Sequence, residues 1–174
     1  MEALATELSH PRVRTRQVSW EDPMPLAEAA TKTSGLEFLQ SMIDGHLPRP
    51  PIAALLGFTL VEVGKGWAVF EGEVGEEHYN PIGVVHGGLA GMLADSAMGC
   101  AVQSTLPAGS GYTTLEYKVN LVRPITAETR LIRCRADIVH AGRRTATAEA
   151  KVTDAGGRLF AHAMTTCLIL RPEE

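Results

Sequence analysis

Apolar and polar residues alternate with a period of two along several stretches of this chain, the signature of strands buried on one face. In TTLEYKVNLV (113–122), Leu115, Tyr117, Val119 and Leu121 share one face, while Glu116, Lys118 and Asn120 share the other. In RLIRCRADIV (130–139), Ile132, Cys134, Ala136 and Ile138 oppose Arg133, Arg135 and Asp137. In TATAEAKVT (145–153), Ala146, Ala148, Ala150 and Val152 oppose Glu149 and Lys151, and DAGGR then turns the chain into LFAHAMTTCLIL (159–170). Upstream, AVFEGEV (68–74) sets Ala68, Phe70 and Val74 against Glu71 and Glu73, and a further strand is expected over 58–63. Short turns between alternating strands predict an antiparallel sheet.

Two segments break this period. GLEFLQSMIDGHL (35–47) spaces Leu36, Leu39, Met42 and Ile43 as a helix does, and PRPP ends it. GGLAGMLADSAMGCAVQST (87–105) is apolar nearly all round, which predicts a helix held in a core. One buried helix wrapped by about six antiparallel strands is an α+β architecture, with the sheet curved to cover the helix. Residues 1–34 mix basic and acidic groups with prolines and predict a loosely ordered arm ahead of a domain spanning 35–174.

Composition narrows the function classes. At 174 residues the chain reads as one domain with a substantial core. A net charge of −4 argues against nucleic-acid binding, which needs a basic face. Cys100, Cys134 and Cys167 lie far apart among apolar neighbours, which suits reduced core thiols in a cytoplasmic protein. No segment reads as a membrane span or a secretory signal. His78, His140 and His162 do not form a metal-ligand spacing, and neither a P-loop nor a G-x-S-x-G elbow is present. The expectation is therefore chemistry without metal or organic cofactor.

Between residues 87 and 115 the only ionisable side chains are Asp95, Cys100 and Tyr112. A buried carboxylate without a partner costs several kcal/mol. Asp95 is thus either tied to a neighbouring hydroxyl or amide for structure, or kept for chemistry. Ahead of it, His86-Gly87-Gly88 would open the helix, where the first amides lack intrahelical partners and carry the positive end of the helix dipole. Glycine lets a ligand oxygen approach those amides, as an oxyanion hole requires. The same glycines equally permit close helix–sheet packing. A carboxylate together with an oxyanion hole is the minimum equipment for hydrolysing an activated acyl group.

Geometry constrains how the two combine. Gly87 and Asp95 are eight residues apart, about 12 Å along a helix. Groups serving one carbonyl must lie within about 6–7 Å of each other. One helix cannot present both to the same carbon. If both act, the amide comes from one subunit and the carboxylate from another, across a dimer with antiparallel helices.

The pattern N-x-x-G-x-x-H-G-G-x-x-x-x-x-x-x-D, formed by Asn80, Gly83, His86, Gly87, Gly88 and Asp95, resembles the hotdog-fold acyl-CoA thioesterases of the phenylacetate-pathway type. The resemblance runs from about Ser34 to Leu170 and includes VRP (122–124) and the turn AGRR. It implies a central helix wrapped by an antiparallel sheet, and a homodimer with shared active sites, assembled further into a homotetramer. By position it implies Asp95 as nucleophile or general base and the Gly87 amide as oxyanion donor, with Asn80 and His86 orienting the thioester or water. Thr114 would assist the water near the carboxylate. Asn80 also suits a turn, and Thr114, beside Thr113, also suits a plain strand. Gly88, Arg123, Arg143 and Arg144 are the candidates for holding coenzyme A, since guanidinium groups match phosphate geometry; solvated hairpin arginines would look the same.

Coenzyme A enters this reading only as part of an acyl-CoA substrate, aryl-acetyl or short to medium aliphatic. Two rivals share the features: an acyl-thioester hydratase or dehydratase using His86 with a carboxylate, and an acyl-CoA binding module without catalysis.

Overall fold

The computed structural model describes residues 13–171. Six strands form one antiparallel sheet: β1 (Phe58–Gly64), β2 (Trp67–Glu73), β3 (Gly111–Leu121), β4 (Leu131–Ala141), β5 (Thr145–Asp154) and β6 (Leu159–Leu170). Their order across the sheet is β1-β2-β4-β5-β6-β3, so β1 and β3 are the edges. The alternation seen in the sequence is realised best in β5, where Ala146, Ala148, Ala150 and Val152 are all buried.

Four helices accompany the sheet: α1 (Met24–Lys32), α2 (Gly35–Ile43), α3 (Pro51–Leu56) and α4 (Gly87–Gln103). Helix α4 packs along the sheet against β2, β4 and β5. Its Ala90, Leu93, Ala94, Ala97, Met98, Ala101 and Val102 are buried together with Phe70, Ile132, Cys134 and Phe160 in a single core. The helix is apolar all round because strands and helices cover it on several sides. This is the hotdog arrangement.

The remaining helices are short and locally determined. Ser34 and Glu37 form a reciprocal capping box that starts α2. The helix stops at Ile43, earlier than the 35–47 expected, because Gly45 turns the chain at a φ of +76°. Pro51 starts α3 and Gly57 ends it, with a φ of +75°. Of the stretch 1–34 expected as an arm, residues 1–12 lie outside the described residues. Residues 13–22 run without helix or strand, and α1 then folds against α2 by burying Leu26. Thr31 at its end accepts a hydrogen bond from the Gly109 N–H at 3.0 Å, tying α1 to the loop before β3. No helix among the described residues is long and apolar enough to cross a membrane.

Candidate active site

Every fourth residue along one line of α4 is small or acidic: Gly87, Gly91, Asp95, Gly99. Strand β3 lies across that line. A methyl group on Gly99 would come within 2.1 Å of the Tyr112 hydroxyl, one on Gly91 within 3.6 Å of the Tyr117 ring, and one on Gly87 within 2.3 Å of Leu121 Cδ1. Residues four apart form a ridge on a helix surface, and here that ridge is cut down to backbone so that a strand can lie on it. Asp95 is the one side chain left standing in this trough. Its partner is Thr114, whose Oγ1 donates to Asp95 Oδ1 at 3.1 Å.

A bulge in β3 sets this pair. Thr114 pairs with Cys167 and Glu116 with Thr166, so Leu115 has no partner on β6. One extra residue shifts the side-chain parity. Before the bulge, Tyr112 and Thr114 face α4; after it, Tyr117 and Leu121 do. The expectation that Leu115 shares the buried face is therefore corrected: it is the bulged residue and stands 57% exposed.

At the N-terminus of α4, His86 is the cap. The Gly88 N–H donates to His86 Nδ1 at 3.0 Å, and the Leu89 N–H donates to the His86 carbonyl at 2.9 Å. Gly88 thus has its amide occupied, whereas the Gly87 N–H has no hydrogen-bond partner among the described residues. Glycine alone would keep that donor open to a ligand oxygen. Asn80 shapes the preceding loop: its Oδ1 accepts from the N–H groups of Ile82 at 3.0 Å and Val84 at 3.3 Å. Gly83 completes this turn with a φ of +79°. The Asn80 oxygen is used locally, which leaves only its amide nitrogen for other contacts.

Helix α4 runs unbroken from Gly87 to Gln103, so the Gly87 amide and the Asp95 carboxylate are separated by about 12 Å of helical rise. Within one chain the structure brings together Asp95 with Thr114, and separately Asn80, His86 and Gly87 around the helix start.

The arginines divide between opposite ends of the sheet. The Arg123 N–H donates to the Phe160 carbonyl, whereas the Arg144 carbonyl accepts from Ile169 and the Arg143 carbonyl from Arg171 Nε. Phe160 and Ile169 lie nine residues apart on β6, about 30 Å at the rise of a strand. Arg143 and Arg144 therefore sit near the Gln103 end of α4, and Arg123 near its Gly87 end.

Two further groups beside Asp95 were not picked out as site residues from the sequence. Burial, with a contribution from the Asp95 charge, pushes the Cys100 thiol up to about 12. It is protonated at neutral pH and no rival nucleophile. Burial likewise raises the Tyr112 hydroxyl well above its usual range, with Cys100, Cys167 and Asp95 adding to it. The visible signal for this region was the four-residue spacing of Gly87, Gly91, Asp95 and Gly99.

The thioesterase superfamily model matches residues 82–161, which contain α4, β3, β4, β5 and the bulge. The 1,4-dihydroxy-2-naphthoyl-CoA hydrolase of Listeria monocytogenes is 30% identical over 105 residues, covering 60% of this chain and 84% of that protein. A phenylacetic acid degradation-related protein from Ralstonia eutropha superposes with a TM-score of 0.68 at 29% identity, over 75% of this chain and 98% of its own. A mutant of the phenylacetic acid degradation protein PaaI from Thermus thermophilus does so with a TM-score of 0.63 at 31% identity, over 71% of this chain and 100% of its own.

Proposed function

This chain belongs to the thioesterase superfamily and is a thioester hydrolase, and we propose that it cleaves acyl-CoA at sites shared between two copies of itself. The observation that carries this reading is the placement of Asp95. Its carboxylate is half-buried in a glycine trough, with one oxygen held by Thr114 and the other unpartnered among the described residues. A carboxylate so placed takes the proton of an attacking water as the water oxygen adds to the thioester carbon. The carbonyl oxygen gains charge against the Gly87 N–H of the partner subunit. The carbon–sulfur bond then breaks, and the proton passes to the departing thiolate, giving carboxylic acid and free coenzyme A.

The second copy is called for by the 12 Å argument and supported by β3. Among the described residues, that strand of eleven residues has no strand paired on its outer side. Leu115, Tyr117 and Leu121 on it are 57%, 45% and 56% exposed, and Met92 on α4 is 37% exposed. A long apolar edge is a template for another strand, and in a two-fold pair it meets its own copy. Arg123, Arg143 and Arg144, far apart in one chain, are drawn from two chains around each coenzyme A in this arrangement.

The test is thiol release from acyl-CoA by mixed subunits. Asn80→Ala and Asp95→Ala are each expected to be inactive alone. After subunit exchange, each heterodimer regains one intact site, so turnover reappears at a fraction of the wild-type value. Verified mixed dimers that stay dead overturn the shared site. Supplying enoyl-CoA separates hydrolysis from hydration, and the hydratase reading has little to stand on here. His86 already spends Nδ1 on the helix cap.

A further inference from the structure

Beyond the reacting carbon, the cavities beside Asp95 bear on which acyl group this protein takes. Ser96, next to Asp95, lines a small chamber of about 170 Å³ together with Phe58, Leu60 and Phe70. A second chamber of about 640 Å³ lies under α1 and α2, lined among others by Leu26, Ala30, Phe38 and Leu39. Met42, Pro50, Cys100 and Tyr112 line both chambers and form the neck between them. The two chambers thus adjoin at these four residues, the small one reaching Ser96 beside the proposed base Asp95 and the large one lying beneath the N-terminal helices. Their walls are mainly apolar, and the ionisable groups at the neck are neutral, since burial holds both the Cys100 thiol and the Tyr112 hydroxyl protonated.

We propose that this two-chamber path receives a linear, medium-chain aliphatic acyl group, with α1 closing its far end and setting the preferred length. The inference rests on Asp95 standing at the thioester carbonyl. A rigid aromatic acyl group would stop in the small chamber and leave the large one unused. A flexible chain alone can pass the neck and bury methylenes in both. The large chamber has the size of a small-molecule site, far more than an acetyl or butanoyl group needs. Ala30 matters here because it is a small, half-buried residue of α1 that faces the chamber. Gly111 is a second handle: a methyl group built on it meets no atom within 4 Å, and its backbone is not in the left-handed region.

The decisive measurement is kcat/KM across butanoyl-, hexanoyl-, octanoyl-, decanoyl- and phenylacetyl-CoA. Each added methylene that enters an apolar chamber should raise it by about two- to fourfold, so decanoyl-CoA, with about six more methylenes, exceeds butanoyl-CoA by at least about sixtyfold and also exceeds phenylacetyl-CoA. Ala30→Trp, which fills the large chamber, should cut the decanoyl-to-butanoyl ratio at least about tenfold, and Gly111→Leu should lower it in the same direction. A flat profile with active enzyme, a phenylacetyl optimum, or a ratio unmoved in both variants overturns the inference while leaving the hydrolase reading intact. Binding of the non-hydrolysable thioethers S-butyl- and S-decyl-coenzyme A to Asp95→Asn tests the chamber independently of turnover. Tighter binding of the decyl compound, weakened by Ala30→Trp, supports the path even if Asp95 proves not to be the base. Equal affinities overturn it.

Discussion

Strands β5 and β3 are both alternating sequences of similar length, and the protein uses them in opposite ways. Strand β5 lies inside the sheet between β4 and β6 and buries every second residue, Ala146, Ala148, Ala150 and Val152, in the core. Strand β3 lies at the edge, carries a bulge, and leaves Leu115, Tyr117 and Leu121 about half exposed. The first satisfies its apolar face within one chain. The second leaves its apolar edge exposed among the described residues, and turns one hydroxyl inward onto the only carboxylate of α4. Strands that look alike as hydrophobic patterns thus differ: one is spent on packing, and the other holds the hydroxyl that the proposed mechanism uses.

That division is sharpest at Asp95. Replacing it with Asn preserves shape and removes the charge. Turnover of acyl-CoA should fall by at least about two orders of magnitude, since positioned general-base catalysis contributes that much. The melting temperature should hold or rise, because the variant no longer carries a half-buried charge. A large loss of stability with activity retained would make Asp95 a packing residue like the buried residues of β5.

The next largest effects separate the two strands. Val152→Ala removes two buried methyl groups from β5 and should destabilise the fold by about 1–3 kcal/mol. Thermal or urea unfolding would show it. Leu115→Lys places a charge on the exposed β3 edge and should raise the dissociation constant of the proposed dimer by at least about tenfold, with activity declining as dimer is lost. Sedimentation analysis alongside turnover checks it. If Leu115→Lys leaves association unchanged, the apolar edge has another purpose and the contrast between the strands fails.

Within β3 the bulge itself is open to test. Thr114→Val keeps the shape but removes the donor to Asp95. A hydrogen bond to a charged group is worth about 1.5–3 kcal/mol, so kcat should fall by about tenfold or more, and Thr114→Ser should restore most of it. Equal activity of the Val and Ser variants would reduce the bulge to a way of bending the strand.

How much of this was visible in the chain follows from the same contrast. Strands β4, β5 and β6 and helix α4 were legible because each meets its burial pattern with residues of its own chain. The alternation of β3 was legible, but its change of parity was not, since Thr113, Thr114 and Leu115 all suit a strand equally. The every-fourth spacing of Gly87, Gly91, Asp95 and Gly99 stood in plain view, hidden only by the apolar residues between. Helix α1 escaped notice because Leu26 is its one buried residue. The three arginines gave no clue to their separation, which depends on strand order and not on sequence distance.

The smallest effect belongs to the turn that closes β5. Asp154 Oδ1 accepts from the N–H groups of Gly156 at 3.0 Å and Arg158 at 2.9 Å, and Oδ2 from Arg158 Nε at 3.0 Å. The Arg158 backbone bond is the largest influence holding this carboxyl below its ordinary value of 3.8. A carboxyl depressed in the folded state adds stability above its unfolded value, and that stability is lost as pH falls through the folded one. Asp154→Asn retains an acceptor for the same N–H groups and loses only the charge. It should therefore melt slightly earlier than wild type at neutral pH, and the gap should close as the pH drops below the ordinary carboxyl range. Because its partner Arg158 is exposed and the pair is screened, the shift should stay well under that of Val152→Ala on the same strand. A larger shift would mean that the turn, and not the buried face, holds β5 in place.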